Sequence, residues 1–165
     1  MTVRLRPAVA ADRTAIRDLH LASWQANYGA ELPAAFLRDA LPAKMDAKWT
    51  ARRFEAPEVT LLAEADGAPI GFVCALADRD PPLIDNLHVR PGLQGRGTGA
   101  RLLRAVLAAL AAQGHPRAYL TVLESNPRAL AFYLRMGGRD DGPVADQLVG
   151  RPVRARRIAF GPDAP

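Results

Sequence analysis

The segment "VRPGLQGRGTGARLL", residues 89–103, constrains the fold most, because it leads from an apolar stretch through a glycine-rich loop into a helical pattern. Gly95, Gly97 and Gly99 occupy every second position of the loop. Glycine lets the backbone approach a ligand closely and adopt φ angles that other residues avoid. The helix predicted to begin near Thr98 carries unpaired N–H groups in its first turn, which favour an anion. The loop is therefore a candidate phosphate site, and close packing is the alternative reason for its glycines.

The spacing of these glycines excludes two common phosphate-binding motifs. A dinucleotide-binding fingerprint needs G-x-G-x-x-G and an acidic residue about 20 residues later. Here the third glycine comes too early, and the residues near position 119 are apolar. A P-loop needs Gly-Lys followed by Ser or Thr, and no lysine follows Lys48.

Hydrophobic periodicity and turn residues predict a mixed chain of strands and helices. Strands are predicted at 3–8, 59–65, 69–77, 83–89, 118–123 and 153–160, helices at 13–28, 98–113 and 127–136, and a broken helical segment at 33–55. Asp12 and Asn126 are the predicted N-caps of the first and last helices. Because strands and helices do not alternate strictly, a doubly wound nucleotide-binding fold is excluded. We predict one α/β (α+β) domain over residues 1–165, with a mixed, mostly antiparallel sheet flanked by helices.

Composition narrows the class of protein. No apolar run approaches the ~20 residues of a membrane span, and the first ten residues lack the apolar stretch of a secretory signal. The single cysteine, Cys74, lies in an apolar stretch, and the three histidines fit no zinc spacing. We therefore expect a cytoplasmic protein that binds no metal and no membrane.

The net charge of +5 is compatible with nucleic-acid binding. However, the arginines are spread along the chain, and no aromatic-rich basic run resembles a nucleic-acid reader. We expect no nucleic-acid partner, and attribute the charge to a compositional bias towards arginine or to attraction of an anionic cofactor.

Two motifs together resemble a known family. The pattern Gln94-x-x-Gly97-x-Gly99, between a strand and a helix, resembles the acyl-CoA loop of the GNAT superfamily of N-acetyltransferases. "IDNLHVRP" (84–91) looks like the fourth strand of that family. "ESNPRALAFYLRMGG" (124–138) looks like its second motif, in which an Asn begins a helix and a Tyr follows seven residues later.

The resemblance implies a sheet that is splayed between its fourth and fifth strands, where the pantetheine of acetyl-CoA enters. By position, Leu87, His88 and Val89 would pair with the pantetheine through their backbone. Asn126 would contact the cofactor arm. The resemblance assigns the pyrophosphate to the loop before the central helix, whose residues are Gln94, Gly95, Arg96, Gly97, Thr98 and Gly99.

The implied reaction is direct transfer of an acetyl group from the thioester to a primary amine. An alkyl amine of pKa ~10.4 must first lose a proton, which costs roughly 4–5 kcal/mol at pH 7. Tyr133 corresponds to the tyrosine that assists the leaving thiolate. Asp85 is the first candidate for the general base, and His88, Glu124 and ordered water are alternatives. By alternation, Asp85 and Leu87 share one face of the strand unless a bulge intervenes.

The acceptor amine is expected to be held by residues of the first two helices and the loop between them, roughly residues 20 to 55. Trp24, Tyr28, Phe36 and Trp49 are candidates for an acceptor pocket and, alternatively, for the core. The sequence does not decide whether the acceptor is a small amine or a protein N-terminal or lysine amine. It also does not decide whether the protein forms a homodimer. A catalytically silent acyl-CoA-binding domain is the alternative function.

Overall fold

A computed structural model describes residues 1–162 and contains one seven-stranded sheet with helices packed on both faces. The strands are β1 (Val3–Pro7), β2 (Val59–Ala65), β3 (Ala68–Leu76), β4 (Leu83–Val89), β5 (Ala118–Leu123), β6 (Arg139–Leu148) and β7 (Arg151–Phe160), and the helices are α1 (Arg13–Asn27), α2 (Leu41–Ala51), α3 (Thr98–Ala112) and α4 (Pro127–Arg135). The strand order is β1-β2-β3-β4-β5-β7-β6, and only the β4–β5 pair is parallel. The predicted fold class is confirmed. In the described part of the chain, no helix is long and apolar enough to cross a membrane.

Alternation along the central strands produces two cores. Phe72 of β3 packs on one face with Ile16 of α1 and Trp49 of α2. Its neighbour Val73 points to the other face and packs with Leu102 and other apolar residues of α3. Because successive side chains of a strand point to opposite faces, the almost continuously apolar β3 is buried on both sides. The sheet therefore holds α1 and α2 on one face and α3 on the other.

Two of the local predictions concern helix caps, and only one is confirmed. Asn126 Oδ1 accepts a hydrogen bond from the Ala129 N–H at 3.0 Å, as expected of an N-cap. Asp12 precedes α1, but its side chain makes no cap hydrogen bond to that helix. Its carboxylate instead accepts from the Val9 N–H at 2.8 Å and pairs with Arg6, which closes the short 3₁₀ turn before α1. The prediction for Asp12 was wrong because that turn and the arginine compete for its oxygens.

Strand β6 was not predicted from the sequence. The strand contains Asp140, Asp141, Gly142 and Pro143, which are typical turn residues. It lies at the edge of the sheet, where proline is tolerated, and its pairing with β7 is irregular between Asp140 and Pro143. The broken helical segment is confirmed: a π-helical turn (Phe36–Ala40) runs into α2, with Pro42 in the first helical turn.

The fifth strand separates from the fourth almost at once, as the resemblance implied. The pair Leu83 and Tyr119 is in register, and the Tyr119 N–H donates to the Pro82 carbonyl at 3.0 Å. No further residue pair of β4 and β5 is in register within residues 1–162. The sheet is therefore closed at one end of this pair and open at the other.

A bulge in β4 changes which face Asp85 occupies. Cys74 pairs with Asn86, and the next residue of β3, Ala75, pairs with Ile84, so Asp85 is the extra residue. Ile84 packs in the core beneath α3, whereas the Asp85 carboxylate contacts Lys48 and Arg52. The prediction that Asp85 shares the face of Leu87 was therefore wrong.

The junction between α4 and β6 allows a stability prediction. A Cβ at Gly138 would lie 2.5 Å from Ile158 Cγ2 and 2.9 Å from the Tyr133 carbonyl oxygen. We expect Gly138→Ala to lower the free energy of unfolding by about 1–3 kcal/mol, as overpacking typically does. A Cβ at Gly29 would meet nothing within 4 Å, so Gly29→Ala is the control and should change stability by less than about 1 kcal/mol. Urea unfolding of the two variants measures this, and equal stabilities would contradict the packing.

Candidate active site

A cleft of about 800 Å³ opens where β4 and β5 diverge. Its walls come from the two strands, from the loop before α3, and from residues of α1, α4 and β6. Most of the residues predicted for the site line this cleft, namely Asp85, Leu87, His88, Val89, Gln94, Gly95, Gly97, Gly99, Asn126 and Tyr133. The side chains of Arg96 and Thr98 do not line it.

The open edge of β4 carries backbone groups that no strand pairs with. The Arg90 N–H donates to the Ile70 carbonyl of β3 at 2.8 Å. Backbone groups of alternate residues point to opposite neighbours in an antiparallel pair, so those of His88 also point to β3. Those of Leu87 and Val89 point into the gap, where Gln94 Nε2 makes a long 3.4 Å contact with the Val89 carbonyl. Leu87 and Val89 thus provide the free edge, and His88 contributes its side chain.

The loop before α3 presents its backbone to the same cleft. Gly95 and Gly97 have φ values of 77° and 84°, and a Cβ at either position would meet nothing within 4 Å. Gly97 is the N-cap residue, so the first unpaired N–H groups of α3 begin beside it. The resemblance also implied that Gly99 is needed because it lacks a side chain. Within the protein a Cβ there would make only ordinary contacts, the closest at 3.6 Å to Phe132, so this requirement stays a prediction about the bound ligand.

Thr98 and Arg96 have different surroundings from the glycines. The Thr98 side chain is buried beneath the loop, and its Oγ1 has no hydrogen-bond partner among residues 1–162. Arg96 is exposed, and no acidic side chain of the described chain pairs with it. Thr98 can therefore contact a ligand in the cleft only through its backbone N–H. The Arg96 side chain can contact such a ligand only from outside the cleft.

Tyr133 lines the cleft from α4, beside Phe132. Burial raises the pKa of the Tyr133 hydroxyl, and the nearby Tyr28 raises it further. The hydroxyl therefore stays protonated at neutral pH and is available as a hydrogen-bond donor. Phe132 lies against the first turn of α3 at Gly99, so the two adjacent aromatic rings have different neighbours.

Asp85 is held by three donors on a single oxygen. Its Oδ2 accepts from Arg52 at 2.7 Å and from Asn86 at 2.6 Å, and it lies 3.2 Å from the Lys48 ammonium. Burial alone would raise the pKa of Asp85, but the charges of Lys48 and Arg52 outweigh it and lower the pKa. Oδ1 has no partner among residues 1–162. Asp85 is therefore an ionised hydrogen-bond acceptor with little tendency to hold a proton.

His88 lies on the α1 side of the sheet. Its Nδ1 is 2.8 Å from the Ser23 hydroxyl, and its ring lies 4.6 Å from the ring of His20 between centroids. Burial, reinforced by the positive charge of Lys48, lowers the pKa of His88 to about 4, while Asp85 opposes the shift. The imidazole is therefore neutral at physiological pH.

The remaining candidates divide between the cleft and the core. Glu124 pairs with Arg154 at 3.0 Å and does not line the cleft. Trp24 and Tyr28 line the cleft, whereas Trp49 is fully buried in the core. Four residues near the site were not predicted from the sequence, because an isolated serine, cation or amide carries no sequence signal of its own: Ser23, Lys48, Arg52 and Asn86. Within residues 1–162, no group of three or more His, Cys, Asp or Glu side chains is placed to hold a metal ion.

Comparison with solved structures identifies the same fold in other proteins. The PaiA N-acetyltransferase of Thermoplasma acidophilum, solved in complex with coenzyme A, is similar with a TM-score of 0.78 and 16% identity over 98% of this chain and 99% of that one. The putative acetyltransferase yncA of Salmonella typhimurium, solved with acetyl-CoA, gives a TM-score of 0.71 and 17% identity over 99% and 96%.

Sequence comparison gives nearer relatives. An uncharacterized N-acetyltransferase of Mycobacterium tuberculosis strain H37Rv is 32% identical over 117 residues, which cover 67% of this chain and 74% of that protein. The L-2,4-diaminobutyric acid acetyltransferase of Nocardia farcinica is 29% identical over 94 residues, 55% of this chain and 49% of that protein. Residues 14–138 match the acetyltransferase (GNAT) family. The chain therefore belongs to the GNAT family of acetyltransferases.

Proposed function

We propose that this protein transfers the acetyl group of acetyl-CoA directly to a primary amine, with the thioester held in the cleft between β4 and β5. The proposal rests on one observation: two sets of backbone groups that no neighbouring strand or helical turn pairs with lie in the same cleft. These are the free edge of β4 at Leu87 and Val89 and the N-terminus of α3 behind Gly97.

Acetyl-CoA fits these groups by its chemistry. Its pantetheine arm contains amides, which can pair with a strand edge as a neighbouring strand would. Its diphosphate is an anion, which the N–H groups and dipole of a helix N-terminus favour. Gln94, Gly95 and Gly97 leave the approach to that terminus open. Asn126 lines the cleft with its side chain, and its Oδ1 is already engaged as the cap of α4.

The amine must lose a proton as its nitrogen bonds to the thioester carbon. We assign Asp85 Oδ1 to the amine N–H, because Asp85 lines the cleft and this oxygen has no other partner in the described chain. Since its low pKa makes the Asp85 carboxylate a weak base, the proton passes on to water. Asp85 thereby orients the nucleophile, and water completes the proton transfer.

The other end of the reaction is the breaking of the C–S bond, which releases a thiolate. Tyr133 supports this step in the proposal because its hydroxyl is protonated and free to donate a hydrogen bond. With its pKa raised by burial, the tyrosine stabilises the thiolate mainly by donating that bond. Complete transfer of its proton would be unfavourable.

The acceptor is proposed to be a small amine. The relatives include an L-2,4-diaminobutyric acid acetyltransferase and a mycothiol acetyltransferase of Clavibacter sepedonicus, the latter 37% identical over 53% of this chain and 29% of that protein. Trp24 and Tyr28 of the helix α1 region line the cleft where an acceptor would enter. A protein N-terminal or lysine amine is the second acceptor class. A cytoplasmic location and the lack of a nucleic-acid partner stay predictions, and a homodimer stays an open alternative.

A panel of amines assayed for CoA release from acetyl-CoA tests the function. The panel contains L-2,4-diaminobutyrate, simple alkyl amines and peptides with a free N-terminus or lysine. An acetyltransferase releases CoA in proportion to the amount of amine that it acetylates. A silent acyl-CoA-binding domain binds CoA in calorimetry but releases none with any amine. A nucleic-acid-binding protein shows salt-dependent binding to DNA and no change of Tm with acetyl-CoA.

Gly97→Ala tests the backbone site for the diphosphate. Alanine at a φ of 84° is strained by roughly 1–2 kcal/mol, and relief of that strain redirects the N–H groups at the start of α3. We expect the Kd for CoA, measured by calorimetry, to rise about 10-fold. Gly114→Ala, at a φ of 90° beyond the far end of α3, is the matched control with the same strain and an unchanged Kd. Equal Kd values for all three proteins would contradict this site.

Tyr133→Phe tests the stabilisation of the thiolate. We expect kcat to fall about 100- to 1000-fold, which is the usual cost of removing one hydrogen-bond donor to a developing negative charge. The Kd for CoA should change less than about 3-fold, because Phe keeps the ring. Tyr119→Phe removes a hydroxyl outside the cleft and serves as the control. Undiminished turnover of the Tyr133 variant would remove the role.

The pH dependence follows from the directions of the pKa shifts. The lowered pKa values keep His88 neutral and Asp85 ionised above about pH 5.5, and the raised pKa values keep Tyr28 and Tyr133 protonated. The logarithm of kcat/KM should therefore rise with pH from 6 to 9 as the amine deprotonates, and should follow the pKa of the amine used. An inflection near pH 6.5 that is independent of the amine would reveal a titrating protein group and contradict this assignment.

A further inference from the structure

The Ser23 hydroxyl fixes the hydrogen bonding of His88. Ser23 lies on α1, buried, with its Oγ 2.8 Å from His88 Nδ1. One turn later, Asn27 Nδ2 donates to the Ser23 carbonyl at 2.7 Å and lies 3.4 Å from Ser23 Oγ. Within residues 1–162, His88 Nδ1 is the only acceptor within hydrogen-bonding distance of the Ser23 hydroxyl. Since a hydroxyl has one hydrogen to donate, Ser23 donates it to Nδ1.

This bond determines where the proton of His88 resides. A neutral imidazole carries one N–H and one acceptor nitrogen. Nδ1 is occupied as the acceptor, so the proton is on Nε2. Nε2 has no hydrogen-bond partner in the described chain and is not a fully buried atom, and His88 is one of the residues that line the cleft. The residue therefore offers an N–H donor to whatever occupies the cleft.

The ring of His88 is also held in place from its sides. The rings of His20 and Phe72 lie 4.6 and 5.5 Å from it between centroids, both tilted by 35°. His20 is itself fixed, because its Nδ1 accepts a 3.0 Å hydrogen bond from Trp49 Nε1 in the buried core. A donor whose ring is fixed in this way needs no reorganisation during a reaction, which is the condition for effective stabilisation of developing charge.

We propose that His88 donates its Nε2–H to the thioester carbonyl oxygen and stabilises the negative charge that develops there, and that Ser23 is the positioning residue that fixes this tautomer. The inference rests on the proposed acetyltransferase function. As the amine nitrogen bonds to the carbonyl carbon, the C=O electron pair moves onto oxygen. When the C–S bond breaks, that pair returns, the sulfur leaves with its bonding pair, and the amine proton leaves towards Asp85 and water. His88 keeps its proton throughout.

The alternative role of His88 as general base fits the surroundings less well. Its free nitrogen already carries the proton, and burial, reinforced by the positive charge of Lys48, lowers its affinity for a second one. The same charge strengthens the Nε2–H as a donor. A neutral imidazole acts as an electrophile in this way in other enzymes.

Nitrogen NMR of the histidine side chains tests the tautomer without any turnover. In long-range ¹H–¹⁵N spectra of the wild type at pH 7, His88 should show an acceptor-type Nδ1 and a protonated Nε2, and the spectrum of His88→Gln assigns its signals by their loss. Ser23→Ala should shift the signals towards a mixture of tautomers, and Ser23→Thr, which keeps the hydroxyl, should restore them. An unprotonated Nε2 in the wild type, or a spectrum that Ser23→Ala leaves unchanged, would overturn the proposal.

Kinetics separates a donor from a base. We expect His88→Leu to lower kcat about 100-fold with little change in KM, as loss of an oxyanion donor does. His88→Gln places an amide N–H near the position of Nε2 and should recover kcat to within about 10-fold of the wild type, whereas a base would be lost in both variants. His115→Leu, outside the cleft, is the control. Equal losses in the Leu and Gln variants would overturn the donor role, whereas a wild type without CoA release would refute the proposed function itself and leave the NMR result standing.

Discussion

The separation of β4 from β5 determines most of what this protein can do. Two neighbouring parallel strands would normally satisfy each other's backbone, yet here the pairing stops after Leu83 and Tyr119. The N–H and C=O groups of Leu87 and Val89 are left facing a cleft, and leaving such groups without partners costs about 1–3 kcal/mol each when they are buried. An amide-containing ligand or solvent must satisfy them. The core beneath α3 keeps the strands in position while the gap stays open, because Ile84 and Leu120 pack there from the two strands.

The bulge at Asp85 links this gap to the second core. By adding one residue to β4, it turns Asp85 towards α2, where Arg52 and Lys48 neutralise it. Burial lowers the pKa of His88 and the charge of Lys48 adds to this effect, so a neutral His88 lies near an ionised Asp85 in the cleft. Two cations facing one carboxylate also disfavour a protonated amine nearby, which agrees with the proposal that an uncharged amine is the nucleophile. The side chains that set the charge on this side of the cleft thus come from the region of α1 and α2. These helices lie on the face of the sheet opposite α3.

The sequence predicted most of the regular elements, and the residues on the proposed cofactor side of the cleft, from local patterns. Glycines before a helix, Asn before Pro and an alternating apolar strand are local patterns that each predict a particular structure. The loop at Gly95 and Gly97 was predicted from such patterns. The edge strand β6 was missed because its turn-type residues contradict its pairing. Asp85 was placed on the wrong face because a bulge depends on the register of the neighbouring strand. Ser23, Lys48 and Arg52 were not found, because their approach to β4 depends on how α1 and α2 pack across the sheet.

The most direct test of this account is to follow individual backbone amides while CoA is added. We predict that the amide resonances of Leu87 and Val89 shift and their hydrogen exchange slows, and that the amides of residues 95–99 shift in the same titration. Pantetheine, which lacks the diphosphate, should affect Leu87 and Val89 but not residues 95–99. If CoA leaves both sets unchanged, or if its effects map to another surface of the molecule, the cleft between β4 and β5 is not the binding site and the account is wrong.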